Sequence, residues 1–309
     1  MNQMKYKTNF DFVVDAAKAG QRKIRVAIAG ADNENILLGA FRAEAAGFAQ
    51  LLLVGDEAKI TKMLKDLSLY DRNYTVVSEP DYEKVVQKSI DLIKLGMADV
   101  LMRGNTQTRD FLLPILDKKN ELLIPGRLLT HINILKLPDY PRVLAVSDVT
   151  IIQEPNLSQR KEIIRNMAEL FADFGYEQCN IALLALVEKP TFHMPSTVEA
   201  QTLAKDCAAK PIGISNVVGP IAYDLIISKE AARLKNFDCP YCGEFDGIVA
   251  PNLITGNLLI KALQIHGHCS SFGVIRGASI PIAITSRADP QEQSYLSLAA
   301  CAAAFNKKG

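Results

Sequence analysis

The amino-acid sequence predicts an α/β protein made of two parallel-sheet α/β domains. Three observations carry that reading. The chain has 309 residues, about twice a domain of roughly 150. Short runs rich in Val, Ile and Leu alternate with segments of helical period, the rhythm of a parallel sheet covered on both faces. The rhythm breaks once, near the middle, at two extended runs separated by Leu137-Pro-Asp-Tyr-Pro141, which reads as a hairpin at a domain seam.

The elements follow in order. Residues 23–29 read as a buried strand closed by Gly30, 35–49 as a helix with one apolar face, and 50–56 as the next strand. Residues 57–67 are helical, 74–77 a strand, 81–95 a helix, 98–104 a strand ending in a polar turn, and 108–122 a helix. The hairpin occupies 128–135 and 142–147. Alternation then resumes, with helices at 157–174, 196–209, 223–234 and 253–264 and strands at 181–187, 212–218 and 247–250. Two strands, 272–276 and 280–284, lead to a final helix over 290–306.

Composition narrows the function. With 49% hydrophobic residues the chain can fill sizeable cores. The net charge is +1, from 35 basic and 34 acidic residues spread evenly, so no footprint for nucleic acid is present. A small anion needs only two or three local cations. No apolar run approaches the ~20 residues of a membrane helix, and the first twenty residues lack the apolar core of a signal peptide. The expectation is a soluble, cytoplasmic protein whose six cysteines are reduced thiols.

Ligands of open α/β sheets sit where strands hand over to helices. At Ala250-Pro-Asn-Leu-Ile-Thr-Gly-Asn257, Thr255 is expected to cap a helix. Gly256 opens that helix N-terminus to an anion, and Asn257 and Lys261 share a helical face. The competing reading is a plain cap with a solvated lysine. At Thr285-Ser-Arg-Ala-Asp-Pro-Gln-Glu292, Asp289, Pro290 and Glu292 form an Asp version of the capping box. Ser286 and Arg287 cap nothing, and a hydroxyl beside a guanidinium suits an oxyanion or phosphate. At Met102-Arg-Gly-Asn-Thr-Gln-Thr108, Arg103 offers a second cation in the company of Thr106 and Thr108. Asp224 follows Gly219-Pro220 in a first helical turn.

The sequence has no Walker-type loop, no Gly-x-Gly-x-x-Gly and no Gly-x-Ser-x-Gly elbow. His266, His268 and Cys269 lack a companion cluster with zinc-site spacing, so no metal is expected. Cys239-Pro-Tyr-Cys242 precedes a strand instead of opening a helix, as a thioredoxin-like pair does. It reads as an incidental loop pair, with a regulatory disulfide, metal capture or a dithiol redox protein as the other readings.

Several of these segments, taken together, resemble the phosphate acetyltransferase/phosphate butyryltransferase family, the butyryl branch more closely. They are residues 98–116, 143–167, 181–200, 219–224, 251–263 and 280–289, with Thr-Gly-Asn-x-x-x-Lys at 255–261 and Ser-Arg-Ala-Asp at 286–289 the most specific. The resemblance implies the isocitrate dehydrogenase-like architecture of the phosphate acyltransferases. It is a two-domain fold with an interdomain cleft, divided as 1–140 plus 285–309 and 141–284, and usually a homodimer. It also implies reversible transfer of a short-chain acyl group, butyryl favoured, between coenzyme A and inorganic phosphate. That transfer passes through a ternary complex without a covalent enzyme intermediate. Coenzyme A is then a substrate, and no cofactor is bound. Ser286 and Arg287 match the family's serine–arginine pair. The position of the catalytic carboxylate in the acetyl branch is occupied by Gln293, which leaves Asp289 and Glu292 as the nearby acids. Val218 also stands where the family commonly has Asp. The alternatives are an acetyl-specific enzyme and a non-catalytic relative that binds coenzyme A or acyl phosphate.

Overall fold

A computed structural model describes residues 9–287 and 289–308. The chain folds into two compact bodies, one from Asp11–Leu129 together with the segment from Phe272 onward, the other Thr130–Ser271.

The first body begins with α1 (Asp11–Lys18), β1 (Ile24–Ala29), α2 (Glu34–Ala45), β2 (Ala49–Gly55) and α3 (Glu57–Asp66). β3 (Thr75–Ser78), α4 (Val85–Lys94), β4 (Val100–Arg103) and α5 (Thr108–Leu116) follow. β1 is buried at every residue except Arg25, as a strand covered on both faces must be. α5 is shorter than the periodicity of 108–122 suggests. It ends at Leu116, two residues after Pro114, and Asp117 turns extended and caps a 3-10 turn at Lys118–Asn120.

The second body is built from β5 (Thr130–Lys136), β6 (Val143–Ser147), α6 (Leu157–Asp173), β7 (Cys179–Leu184) and α7 (Pro195–Ala209). It continues with β8 (Ser215–Ile221), α8 (Tyr223–Ile227), α9 (Lys229–Leu234), β9 (Gly247–Val249) and α10 (Leu253–Ile265). β5 and β6 pair antiparallel, so the expected hairpin forms, and both of its strands lie in this body. Its strands run in the order β5-β6-β9-β7-β8, parallel beyond the hairpin. The single helix expected over 223–234 is two. Ser228 is extended at φ −137° and ψ 116°, and its side chain accepts from the Ala231 N–H to cap α9. Within the core, the buried Arg142 pairs with Asp246 at 2.9 Å, and Asp246 also accepts from the Asn180 N–H.

The chain then returns to the first body with β10 (Ser270–Arg276), β11 (Ile282–Ala283) and α11 (Gln291–Lys308). β10 and β11 pair antiparallel, and β11 lies parallel beside β4. The order there is β3-β2-β1-β4-β11-β10. Residues 294–304 of α11 are buried on every side, so this helix is an interior element of the body. Gly39 of α2 lets α11 approach; a Cβ there would meet the Gln291 carbonyl.

Candidate active site

In the first body strand order reverses between β1 and β4, the kind of switch point at which α/β sheets bind ligands. The turn leaving β4 is stitched to the turn leaving β1. The Gly104 N–H donates to the Ala29 carbonyl at 2.9 Å and the Asn105 N–H to Gly30 at 2.7 Å. Only glycine fits at 104, because a Cβ would run into the Gly30 carbonyl.

Arg103 ends β4 and is 6% exposed. Its Nε and Nη2 donate to the Thr106 carbonyl at 3.0 and 2.7 Å, and Nη1 to the Thr285 carbonyl at 3.3 Å. Burial lowers its pKa and so does the charge of Arg287, while Asp289 opposes the shift. A guanidinium stays charged regardless. Two cations therefore stand close enough to repel one another, with one carboxylate near Arg103. The hydroxyls of Thr106 and Thr285, in residues 4% and 5% exposed, are buried with no hydrogen-bond partner among the described residues. Two paired cations and two unpartnered hydroxyls form the donor set an oxyanion needs.

The neighbouring turn is held by its own backbone and by Asp289. The Ser286 N–H donates to Asp289 Oδ2 at 2.7 Å, and the Asp289 N–H returns to the Ser286 carbonyl at 3.1 Å. Ser286 and Arg287 are exposed. Asn33, the N-cap of α2, donates from Nδ2 to the Arg287 carbonyl at 3.2 Å. Glu292 lies in the first turn of α11 and pairs with Arg42 of α2, whose guanidinium also covers the Tyr295 ring. Asp32, at the end of β1, takes the Tyr82 phenol; burial raises its pKa.

The second body holds the four residues that sequence singles out on α10. Thr255 is not the cap of α10. Asn252 is, and its Oδ1 accepts both the Thr255 N–H at 3.0 Å and the Thr255 hydroxyl at 2.9 Å. The Leu253 N–H donates to the Gln153 carbonyl and the Gly256 N–H to the Asn252 carbonyl, so with Thr255 three of the first four N–H groups are engaged internally. Gly256 is buried against the Asp148 carbonyl, where a Cβ would clash. Asn257 Nδ2 donates to the Val149 carbonyl at 3.0 Å. Lys261 is exposed, on a different side of α10 from buried Gly256.

Sequence reading missed Asp148, on which this second cluster is built. It is buried, and Oδ1 accepts the N–H groups of Thr150 at 2.8 Å, Ile151 at 2.7 Å and Ile152 at 3.4 Å. Oδ2 accepts the His131 N–H at 2.9 Å. Burial pushes its pKa up, and these four N–H groups pull it back. The signal available in sequence was Ser147-Asp-Val-Thr150, an acid one residue past a strand able to close an Asx-turn. Among the described residues, no group of three or more His, Cys, Asp or Glu is placed to hold a metal ion. No described helix is long and apolar enough to cross a membrane.

Comparison with known proteins gives the family. The family model for phosphate acetyl/butaryl transferase matches residues 82–303. The phosphate butyryltransferase of Clostridium acetobutylicum is 30% identical over 300 residues, covering 97% of this chain and 99% of that protein. The phosphate acetyltransferase of Thermotoga maritima is 29% identical over 287 residues, covering 93% of this chain and 96% of that one. Among solved structures, a branched-chain phosphotransacylase from Enterococcus faecalis superposes with a TM-score of 0.77 at 27% identity, covering 91% of this chain and 99% of the other. A fold likeness at TM-score 0.56 and 12% identity extends to a 4-hydroxythreonine-4-phosphate dehydrogenase from Klebsiella pneumoniae, covering 91% of this chain and 99% of that one. This chain belongs to the phosphate acetyl/butaryl transferase family, and it is an acyltransferase.

Proposed function

We propose that the protein moves a short acyl group, butyryl in preference to acetyl, reversibly between coenzyme A and inorganic phosphate. The observation that carries this reading is the donor set around Arg103. It comprises a buried guanidinium, Arg287 near enough to repel it, and two buried threonine hydroxyls with no partner among the described residues. Such a set gains from a doubly charged phosphate, which the two hydroxyls can bond and the two cations can balance.

In this reading both substrates are bound together and transfer is direct. A phosphate oxygen attacks the thioester carbonyl carbon, the carbon–sulfur bond breaks, and the phosphate proton ends on the departing thiolate. Acyl-CoA and hydrogen phosphate thus give acyl phosphate and the free thiol. Arg103 and Arg287 bind the phosphate, and the Ser286 hydroxyl donates to the developing oxyanion or the leaving sulfur. Asp289 is the better placed of the two acids to manage the proton, because Glu292 is committed to Arg42. Thr255, Gly256 and Asn257 shape the turn at α10, and Lys261 meets a phosphate group of coenzyme A. Direct transfer is supported by the cysteines. Five of the six are buried, and burial raises the thiols of Cys179, Cys242 and Cys301.

We place the protein in the cytoplasm, with its acyl-CoA substrate, as a homodimer. Ile254, Leu258 and Ile265 of α10 are 75%, 66% and 63% exposed and fall on one helical face, an apolar stripe suited to a second copy of itself.

The test is thiol release from acetyl-, propionyl- and butyryl-CoA, with and without phosphate. Phosphate-dependent release, fastest with butyryl-CoA, is expected. Fastest release from acetyl-CoA would make the enzyme acetyl-specific, and no phosphate-dependent release from any of them would reduce it to a binding relative.

A further inference from the structure

The turn between α9 and β9 carries two thiols that the acyl transfer reaction does not use. Cys239 and Cys242 stand at the two ends of one reverse turn, with the Cys242 N–H donating to the Cys239 carbonyl at 3.4 Å. The ends of such a turn lie within ~7 Å at Cα, the separation a disulfide bridges. Cys239 stands near enough to Cys242 to raise its pKa. Cys242 is 3% exposed and packs in the core with Phe245 and Ile226, while Cys239 is half-buried at the edge of the same cluster.

The surroundings fix the turn. The Gly243 N–H donates to the Ile226 carbonyl of α8 at 3.1 Å, the Glu244 N–H to Tyr241 at 2.8 Å, and Tyr241 meets the Phe245 ring edge-on. The charged groups facing the pair are Asp224, at the start of α8, and Glu188, in the segment after β7; Lys235 of the turn bridges them, at 2.9 and 3.5 Å.

We propose that Cys239 and Cys242 form a dithiol modification site that exchanges with a small disulfide and closes to an intramolecular disulfide. The half-buried Cys239 is the attacking group. Its sulfur, after losing its proton, bonds to one sulfur of the small disulfide; the small disulfide's own sulfur–sulfur bond breaks, and the departing sulfur takes a proton and leaves as a thiol. The Cys242 sulfur then attacks the mixed disulfide at Cys239, releasing the second small thiol with the Cys242 proton. Two protein thiols are oxidised and one disulfide is reduced to two thiols.

Two physical features separate this pair from a fast redox enzyme. Burial, with Cys239 next, pushes the Cys242 pKa up to about 12, so Cys242 waits as a thiol. A dithiol whose thiolate is not stabilised also gives up its electrons more readily at equilibrium than one whose thiolate is held by a helix N-terminus. The site therefore oxidises slowly and stays oxidised until a reductant returns. Because two carboxylates face it, an uncharged disulfide is the better reagent.

The experiment uses the full-length protein, reduced, freed of reductant and incubated with hydroxyethyl disulfide. Intact mass, thiol titration after denaturation and peptide mapping are then read. Two of the six thiols are expected to vanish, the mass to fall by two hydrogens with no adduct, and the bridge to map to Cys239 and Cys242. Dithiothreitol should restore both thiols. Cys242→Ser should stop at an adduct on Cys239, and Cys239→Ser should slow thiol loss at least about tenfold. A lasting adduct on the unsubstituted chain, a bridge elsewhere, or no thiol loss would overturn the assignment, and each is read without any variant.

Discussion

Arg103 sends two of its N–H groups to one acceptor: Nε and Nη2 reach the Thr106 carbonyl at 3.0 and 2.7 Å. With the third bond, to Thr285, the guanidinium ties the turn after β4 to the strand end after β11. Arg103→Lys keeps the charge but loses the fork. The apparent KM for phosphate should rise at least about tenfold. Stability should fall by about 1–3 kcal/mol, as buried carbonyls lose their donors. Phosphate saturation curves and a urea titration read the two effects separately.

The threonine hydroxyls should behave oppositely. In the free protein they are buried and have no partner among the described residues, so removing them relieves a cost instead of breaking a bond. Thr285→Val and Thr106→Val should leave stability within about 1 kcal/mol of the parent, or raise it. Each should nonetheless weaken phosphate binding about threefold to tenfold, the worth of one hydrogen bond. Loss of stability without a change in phosphate KM would show that the hydroxyls serve the fold.

Asp289 and Glu292 are three residues apart, yet their variants should diverge. Glu292 and Arg42 are each about half exposed, so Glu292→Gln should cost less than about 1 kcal/mol and leave kcat within a few-fold. Asp289→Asn weakens the acceptor for the Ser286 N–H and removes the charge set against Arg103. Its kcat should drop about 100-fold, within the range for a positioned acid or base, and the limb of the pH–rate profile assigned to a carboxylate should shift or vanish. A normal profile in Asp289→Asn with a collapsed one in Glu292→Gln would reverse the assignment.

Acid stability should report on Asp99. Burial would raise this carboxyl, but hydrogen bonds from Arg25 and the charges of Arg25 and Arg22 outweigh it and hold it below the usual carboxylate range. A depressed folded-state pKa gives stability that is complete above the unfolded value near 4 and is lost as pH falls through the folded value. Asp99→Asn should lower stability at pH 7 by about 2 kcal/mol and flatten that acid limb. Denaturation midpoints from pH 2 to 7 give the comparison.

Much of this was legible in sequence because apolar periodicity reports burial. The strand of 23–29, the hairpin at 128–147 and the buried terminal helix all follow from it. Periodicity does not report where a local side chain competes with the helix, so the caps at Asp117 and Ser228 shorten or split elements that pattern alone draws as continuous. At the site, Arg103, Ser286 and Arg287 were visible as cations and a hydroxyl at strand ends. Asp148 was not, because one of its four donors, His131, comes from seventeen residues away across a hairpin. The Thr106 and Thr285 hydroxyls matter through lacking partners, a property that exists only once the chain has folded.

The most direct test is the rate of thiol release from butyryl-CoA as phosphate is raised, for the unsubstituted protein and for Arg287→Ala. Arg287 is exposed, so its removal should leave the fold intact. The account predicts a saturable phosphate curve for the parent and, for the variant, an apparent KM for phosphate raised about 10- to 100-fold, the loss of one charged partner. Release that ignores phosphate, or two superimposable curves, would contradict it.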